Sequence, residues 1–204
     1  MLIIGLNGSP HRQGNTAFLL ETALKSAAEM GAETESIFVQ EIMEKNKRPF
    51  CLACETPCRG VCYEGTEMEK VLDRIAQADG LLIASPVYFG TVSAQLKSFW
   101  DKTRRLRRYR KLLNTVGGAL TSGGARFGGQ ETTLRTIHTM MLIQGMIVIG
   151  DSHEKSPGHH GVNAAQPAED DANALKRASL MGKRMVQVCE ATASLRKNRQ
   201  EGHK

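Results

Sequence analysis

The stretch "LIIGLNGSPHRQGNTA", residues 2–17, decides the fold. Its opening apolar run, LIIGL (2–6), stops at a Gly-rich segment and reads as a short buried strand. Beyond the loop, Ala17, Leu20, Leu24 and Ala27 recur at helical spacing until Gly31 ends the pattern. Strand, Gly-rich loop and helix in immediate succession are the opening unit of an α/β domain. In the loop, Gly8 and Gly14 allow close backbone approach, Ser9, Asn15 and Thr16 supply hydroxyls and an amide, and Arg12 adds fixed charge. The helix that follows contributes free N–H groups and the positive end of its dipole. Together these suit a doubly charged phosphate better than a plain Asn/Thr helix cap. Five residues separate Gly8 from Gly14 and no Lys-Ser/Thr follows, so this is not a nucleoside-triphosphate loop. The GxGxxG dinucleotide fingerprint is also missing.

Working outward, ESIFVQ (35–40), GLLIASPVY (80–88), VGGALT (116–121) and GMIVIG (145–150) read as four more strands. Helices are expected near 66–78, through 92–105, around Leu134, Ile137 and Met141, and along a last stripe of Leu175, Ala178, Gly182, Met185 and Cys189. Five strands alternating with five helices imply a parallel sheet covered on both faces. Ligands of such sheets bind outside the carboxyl ends of the strands.

At 204 residues and 41% hydrophobic content, the chain suits one globular domain. No stretch approaches the ~20 apolar residues of a membrane span. MLIIGL (1–6) is too short and uncharged for a signal peptide. A cytoplasmic protein with reduced thiols is therefore expected. The net charge of +6 is concentrated in KTRRLRRYRK (102–111). That run reads first as a solvated helix end and second as a landing patch for an acidic redox partner or a phosphorylated nucleotide. Nucleic acid is disfavoured, because the run holds only one aromatic, Tyr109, and no binding module.

The segments GSPHRQGNT (8–16), the cysteine cluster CLACETPCRGVC (51–62), ASPVYFGTVSAQLKSFWD (84–101) and GGARFGGQETTL (123–134) together resemble the NADPH-dependent FMN reductase and iron–sulfur flavoprotein group of flavodoxin-like proteins. The resemblance implies a flavodoxin-like three-layer sandwich with a five-stranded parallel sheet of order 2-1-3-4-5, and bound FMN. Ser9, Arg12, Asn15 and Thr16 match the positions that hold its phosphate and ribityl chain. Pro86 ends strand pairing and frees the backbone of Val87, Tyr88, Phe89 and Gly90 to face the flavin ring, the contact this segment supplies in the family. Ser122, Gly123 and Gly124 follow the fourth strand, where small residues let a ring lie against backbone. Whether Arg126 and Gln130 touch flavin or shape the loop is left open at this point.

Cys51, Cys54, Cys58 and Cys62 fall as C-x2-C-x3-C-x3-C. Compact four-thiolate loops typify [4Fe–4S] ligation, which ranks ahead of no metal and of zinc, whose structural sites more often use two distant CxxC knuckles. The family's usual spacing is C-x2-C-x2-C with four to seven residues before the last Cys, so this chain differs at both Cys58 and Cys62. Cys189, on an apolar stripe, reads as an inert buried thiol. His153, His159 and His160 flank a Gly/Pro loop that reads as surface, reaching toward a neighbouring subunit, rather than as a metal site.

The expectation is thus a single FMN-binding domain over 1–195, with a cysteine-rich insertion at about 48–65 and a polar tail at 196–204. Its phosphate, ring and cysteine loops are all expected at one end of the sheet. It would pass electrons from NAD(P)H or ferredoxin through FMN, and a [4Fe–4S] cluster, to a small acceptor such as a quinone or oxygen. A homodimer or homotetramer is expected. No general base or catalytic triad is needed, because the flavin carries the chemistry. The rival readings are an FMN-only reductase whose cysteines hold zinc or nothing, a non-catalytic electron carrier, and a zinc-stabilised binding module.

Overall fold

A computed structural model describes residues 1–165 and 167–201. The opening stretch folds as read. Strand β1 (Leu2–Asn7) is buried along its whole length, as a central strand covered on both faces must be. Helix α1 (Asn15–Glu29) follows the Gly-rich loop. Strand β2 (Glu33–Phe38) pairs parallel to β1 and forms one edge of the sheet. Its exposed Glu33 and half-buried Glu35 both pair with Arg74, and this charged edge resists pairing with another strand. The chain then turns at once into α2 (Val39–Glu44), so the strand expected to reach residue 40 stops two residues earlier.

The cysteine segment comes next and ends in a 3-10 turn, Val61–Tyr63. It is followed by α3 (Glu67–Ile75), β3 (Gly80–Pro86) and α4 (Ala94–Asp101). The helix expected through 105 is interrupted: α5 (Arg104–Arg108) is separate. Strand β4 (Val116–Gly123), α6 (Gln130–Leu142), β5 (Ile147–Ile149), β6 (Val162–Ala165), α7 (Ala172–Ala191) and α8 (Ala193–Glu201) complete the order.

The main path through the sheet is β2-β1-β3-β4-β5, all parallel, the order implied by the resemblance. The fifth position is divided. The start of β4 (Val116–Gly118) pairs with β5, and its end (Leu120–Gly123) pairs with β6. The sixth strand was not legible because VNAA is short, only weakly apolar and embedded in a His/Gly/Pro loop. The excursion between β5 and β6 is fastened to α7 by the ion pair of Arg177 with the buried Asp151.

Helices α1 and α7 cover one face, where Leu19, Leu20, Met181 and Met185 pack with Ile3, Leu82 and Leu120. Helices α3, α4 and α6 cover the other, with Leu72, Ile75, Phe99 and Ile137 against Ile4, Leu6, Ile83 and Ala119. Burying each such side chain contributes about 1.5–3 kcal/mol. Cys189 is fully buried on the α7 stripe, as read. The residues read as a polar tail begin instead as part of α8. Arg196 is buried and pairs with Asp79 at 3.0 Å, while Asp79 also accepts from the Leu2 backbone N–H at 2.9 Å. Residues 202–204 of that expected tail lie outside the described residues. Among the described residues no helix is long and apolar enough to cross a membrane.

Candidate functional site

The loop after β1 is ordered by its own short side chains. Asn7 Oδ1 accepts from the Ser9 N–H at 3.0 Å, and Ser9 Oγ accepts from the His11 N–H at 3.1 Å. It is also tied to the loop after β3: the Gly8 N–H donates to the Ala84 carbonyl at 2.8 Å, and the Ser93 hydroxyl donates to the Gly8 carbonyl at 2.5 Å. Ser93 is at the same time the N-cap of α4, accepting from the Leu96 N–H at 3.1 Å. At the other end of the loop Gly14 caps α1 with φ +145°, a conformation that favours glycine, and no side chain caps the helix. The helix N-terminus is therefore not closed by a side chain, and its free N–H groups suit a phosphate.

The sequence-named polar residues divide. Thr16 and Ser122, far apart in sequence, meet through their hydroxyls at 2.9 Å and join the phosphate loop to the end of β4. Asn15 Oδ1 accepts from the Ala168 N–H at 2.6 Å and so fastens the segment before α7. Arg12 turns to α2, where it pairs with Glu41, and its guanidinium lies 4.7 Å from the centre of the Phe38 ring. Hydrogen bonding and charge from Lys45, then the charge of Arg12, hold the Glu41 carboxyl below the usual carboxylate range.

After Pro86 the Val87 N–H donates to the Ser122 carbonyl at 2.9 Å. Tyr88 and Thr91 then exchange backbone hydrogen bonds of 2.9 and 3.1 Å across a tight turn. Both central residues have positive φ, Phe89 at +49° and Gly90 at +76°, as a type I′ turn requires. A bulky residue at positive φ is strained, and the Phe89 side chain is wholly exposed, so packing does not compensate for that strain within this chain. The loop after β4 leans on the same turn: a Cβ at Gly129 would stand 3.0 Å from the Gly90 Cα. Gln130 is buried, donates to the Ala125 carbonyl at 2.5 Å and accepts from the Gly128 N–H at 2.8 Å. It therefore shapes this loop, while Arg126 is exposed. A Cβ added at Gly14, Gly90 or Gly124 would meet nothing within 4 Å. An uncapped helix end, hydroxyls beside it and glycine-lined open space next to an exposed aromatic fit a phosphate joined to a planar ring.

The cysteine loop is built differently. All four thiols are free; Cys54 and Cys62 are exposed, and Cys51 and Cys58 are half-buried. Internal contacts brace it: the Glu55 carboxylate accepts from the Arg59 backbone at 2.6 Å and from Arg59 Nε at 2.9 Å. Gly60 has φ +84°, and a Cβ there would come within 2.8 Å of the Tyr63 hydroxyl oxygen. Partial burial pushes the Cys62 thiol up; Lys102 pulls it down, and Cys54, Cys58 and Cys51 push it up further, so Cys62 lies within electrostatic reach of the other three. Burial likewise raises the Tyr63 phenol. Among the described residues no three His, Cys, Asp or Glu side chains converge on a metal position. The donor set fits an iron–sulfur cluster in its chemistry. So do the polar groups nearby, for Lys102 Nζ, Trp100 Nε1 and Tyr63 Oη are buried without a hydrogen-bond partner.

The position of this loop departs from expectation. Cys51 and Ala53 share a pocket of about 350 Å³ with Trp100, Thr103, Arg107 and Gln144, residues at and beyond the carboxyl ends of α4 and α6. Both helices begin at the ring loops, so the cysteine segment extends along α4 rather than staying at the carboxyl end of the sheet. The eight residues of α4 correspond to about 12 Å. Sequence reasoning passed over Ser93, although Ser before a helical run is an N-cap signal, and passed over Lys102, hidden at the head of a cationic run.

Residues 1–157 match the family described as NADPH-dependent FMN reductase. An iron-sulfur flavoprotein of Methanocaldococcus jannaschii is 40% identical over 194 residues, covering 92% of this chain and 97% of that protein. The iron-sulfur flavoprotein of Methanosarcina thermophila is 38% identical over 202 residues, covering 98% and 99%. Among solved structures, a flavodoxin from the domain Archaea superposes with a TM-score of 0.62 at 16% identity, covering 93% of this chain and 99% of that one. With this match and its sheet order, the chain belongs to the NADPH-dependent FMN reductase family, a family of flavodoxin-like, FMN-dependent oxidoreductases.

Proposed function

We propose that this chain is an iron–sulfur flavoprotein that takes electrons from NAD(P)H or ferredoxin and delivers them to a small acceptor such as a quinone or oxygen. The observation that carries the reading is the α1 N-terminus, left without a side-chain cap and joined through Thr16 and Ser122 to the ring loops. The α1 N-terminus, Gly14, Ser9 and Thr16 would hold the FMN phosphate, with Asn15 and Arg12 at the loop margin. Pro86, Val87, Tyr88, Phe89 and Gly90 on one side, and Ser122, Gly123 and Gly124 on the other, would hold the ring. Bound FMN supplies hydride acceptance and electron release. The chain's own residues fix the ring and leave one side open to a donor that comes and goes.

Cys51, Cys54, Cys58 and Cys62 would hold a [4Fe–4S] cluster, as the names of the relatives and the orphaned donors around the loop support. A cytoplasmic setting would keep such thiols reduced and available as ligands. Residues 1–195 act as one domain with the cysteine segment as an insertion. The exposed Phe50, Leu52, Phe89 and Phe127 favour a homodimer or homotetramer. Anaerobic purification with flavin, iron and sulfide measured on one preparation tests this. The expected result is one FMN with four iron and four sulfide per chain. Flavin without iron or sulfide leaves the FMN-only reductase, and zinc with neither flavin nor iron leaves a binding module. Reducible flavin without NAD(P)H oxidation points to ferredoxin as donor or to a passive carrier.

A further inference from the structure

Lys102 begins the basic run, yet it is the member that solvent does not reach. It is 2% exposed, and its Nζ has no hydrogen-bond partner. An ammonium taken out of water without a partner is destabilising, and water is not there to compensate. Acidic groups on α3 and α4 are engaged with other cations. Asp101 pairs with Lys97 at 2.7 Å, Glu69 pairs with Arg105 at 2.7 Å, and Asp73 faces Arg105 at 3.5 Å. The Thr103 hydroxyl donates to the Trp100 carbonyl and accepts from Gln144.

The stretch of chain around Lys102 borders the cysteine loop. Trp100, Asp101, Thr103 and Arg104 line one pocket with Cys51, and the Lys102 charge bears on Cys62. Trp100 Nε1 and Tyr63 Oη, also buried and unpartnered, flank the same segment. A buried cation with two further polar groups awaiting acceptors matches an acceptor-rich anion. A thiolate-ligated iron–sulfur cluster has that character.

We propose that Lys102 is the counter-charge of the cluster, a positioning residue whose buried ammonium helps retain the cluster and favours its reduced form. The inference rests on the reading that the four cysteines hold [4Fe–4S]. Reduction brings in one electron from an external reductant and adds one negative charge, which a nearby fixed cation in a low-dielectric setting stabilises.

The test uses the full chain, wild type, Lys102→Met and Lys102→Gln, reconstituted anaerobically and titrated with dithionite while the cluster is followed by electron paramagnetic resonance. FMN content serves as the check that each variant is folded. Both variants are expected to shift the reduced-to-oxidised ratio at fixed potential at least tenfold toward oxidised, about 59 mV for a one-electron couple. In parallel, Lys102→Met should raise the melting temperature of the cluster-free protein and lower that of the loaded protein. Potentials equal to wild type in both variants overturn the proposal. So does a melting temperature lowered in both forms, which marks Lys102 as merely structural. A wild-type protein that binds FMN but takes up no iron overturns the cysteine reading, and this inference with it.

Discussion

The proposed flavin loops and the cysteine loop are both Gly-containing segments, but they are held in opposite ways. The flavin loops are stitched to one another across long sequence distances: Gly8 to Ala84 and Ser93, Val87 to Ser122, and Thr16 to Ser122. The cysteine loop is braced from within by Glu55 with Arg59, while from outside Glu69 of α3 accepts from the Gly65 N–H and Arg108 donates to the Cys58 carbonyl at 3.2 Å. The first set of loops is assembled by the fold itself. The other holds four free thiols without gathering them, and a bound metal would have to complete it.

The sharpest way to break this contrast is Cys62→Ser. It should abolish iron uptake while FMN affinity, measured by fluorescence titration, stays within about twofold of wild type (about 0.4 kcal/mol). Loss of FMN together with iron would mean that the two sites are not separately built. Gly8→Ala should do the converse. Its Cβ would stand 2.8 Å from the Leu96 Cβ and 2.9 Å from the Ala84 carbonyl oxygen, so the phosphate loop must shift. An FMN dissociation constant raised about tenfold, roughly 1.4 kcal/mol, with unchanged iron content is the expected outcome.

Phe89→Gly probes the ring turn itself. Glycine accepts the +49° φ without strain and no burial is lost within the chain, so denaturant unfolding should show a gain of about 1 kcal/mol. A loss instead would show that Phe89 is covered in solution by another molecule. The smallest effect belongs to the rim. The Glu41 carboxyl, lowered by Lys45 and then Arg12, contributes stability above its unfolded value of about 4.3 and loses it as pH falls through its lower folded value. Glu41→Gln should therefore flatten the acid limb of the stability profile slightly, because the pair is exposed.

Much of this was legible in the residues. LIIGLN, GLLIASP and VGGALT are apolar runs too short for helices, and the Gly-rich loops after them announce backbone laid open to a ligand. Thr16 and Ser122 were each named from local chemistry before the fold brought them together. Three things were hidden, each for a physical reason. The divided fifth strand was hidden because VNAA takes its strand character from pairing with β4 rather than from its own apolarity. The use of Arg12 depends on Phe38 and Glu41, which only the fold brings near. Lys102 looked like one more solvated cation because composition says nothing about which member of a basic run faces inward.

The short helix α4 has the Ser93 hydroxyl gripping the phosphate loop at one end and Lys102 at the other. On the proposed reading, the spacing between the two centres is written neither in the flavin loops nor among the cysteines, but in a residue count. One residue inserted into α4 would swing Lys102 about 100° around the helix and move it about 1.5 Å along it, while every ligand-facing residue kept its identity. Two chains with the same motifs and a different helix length would be different electrical circuits.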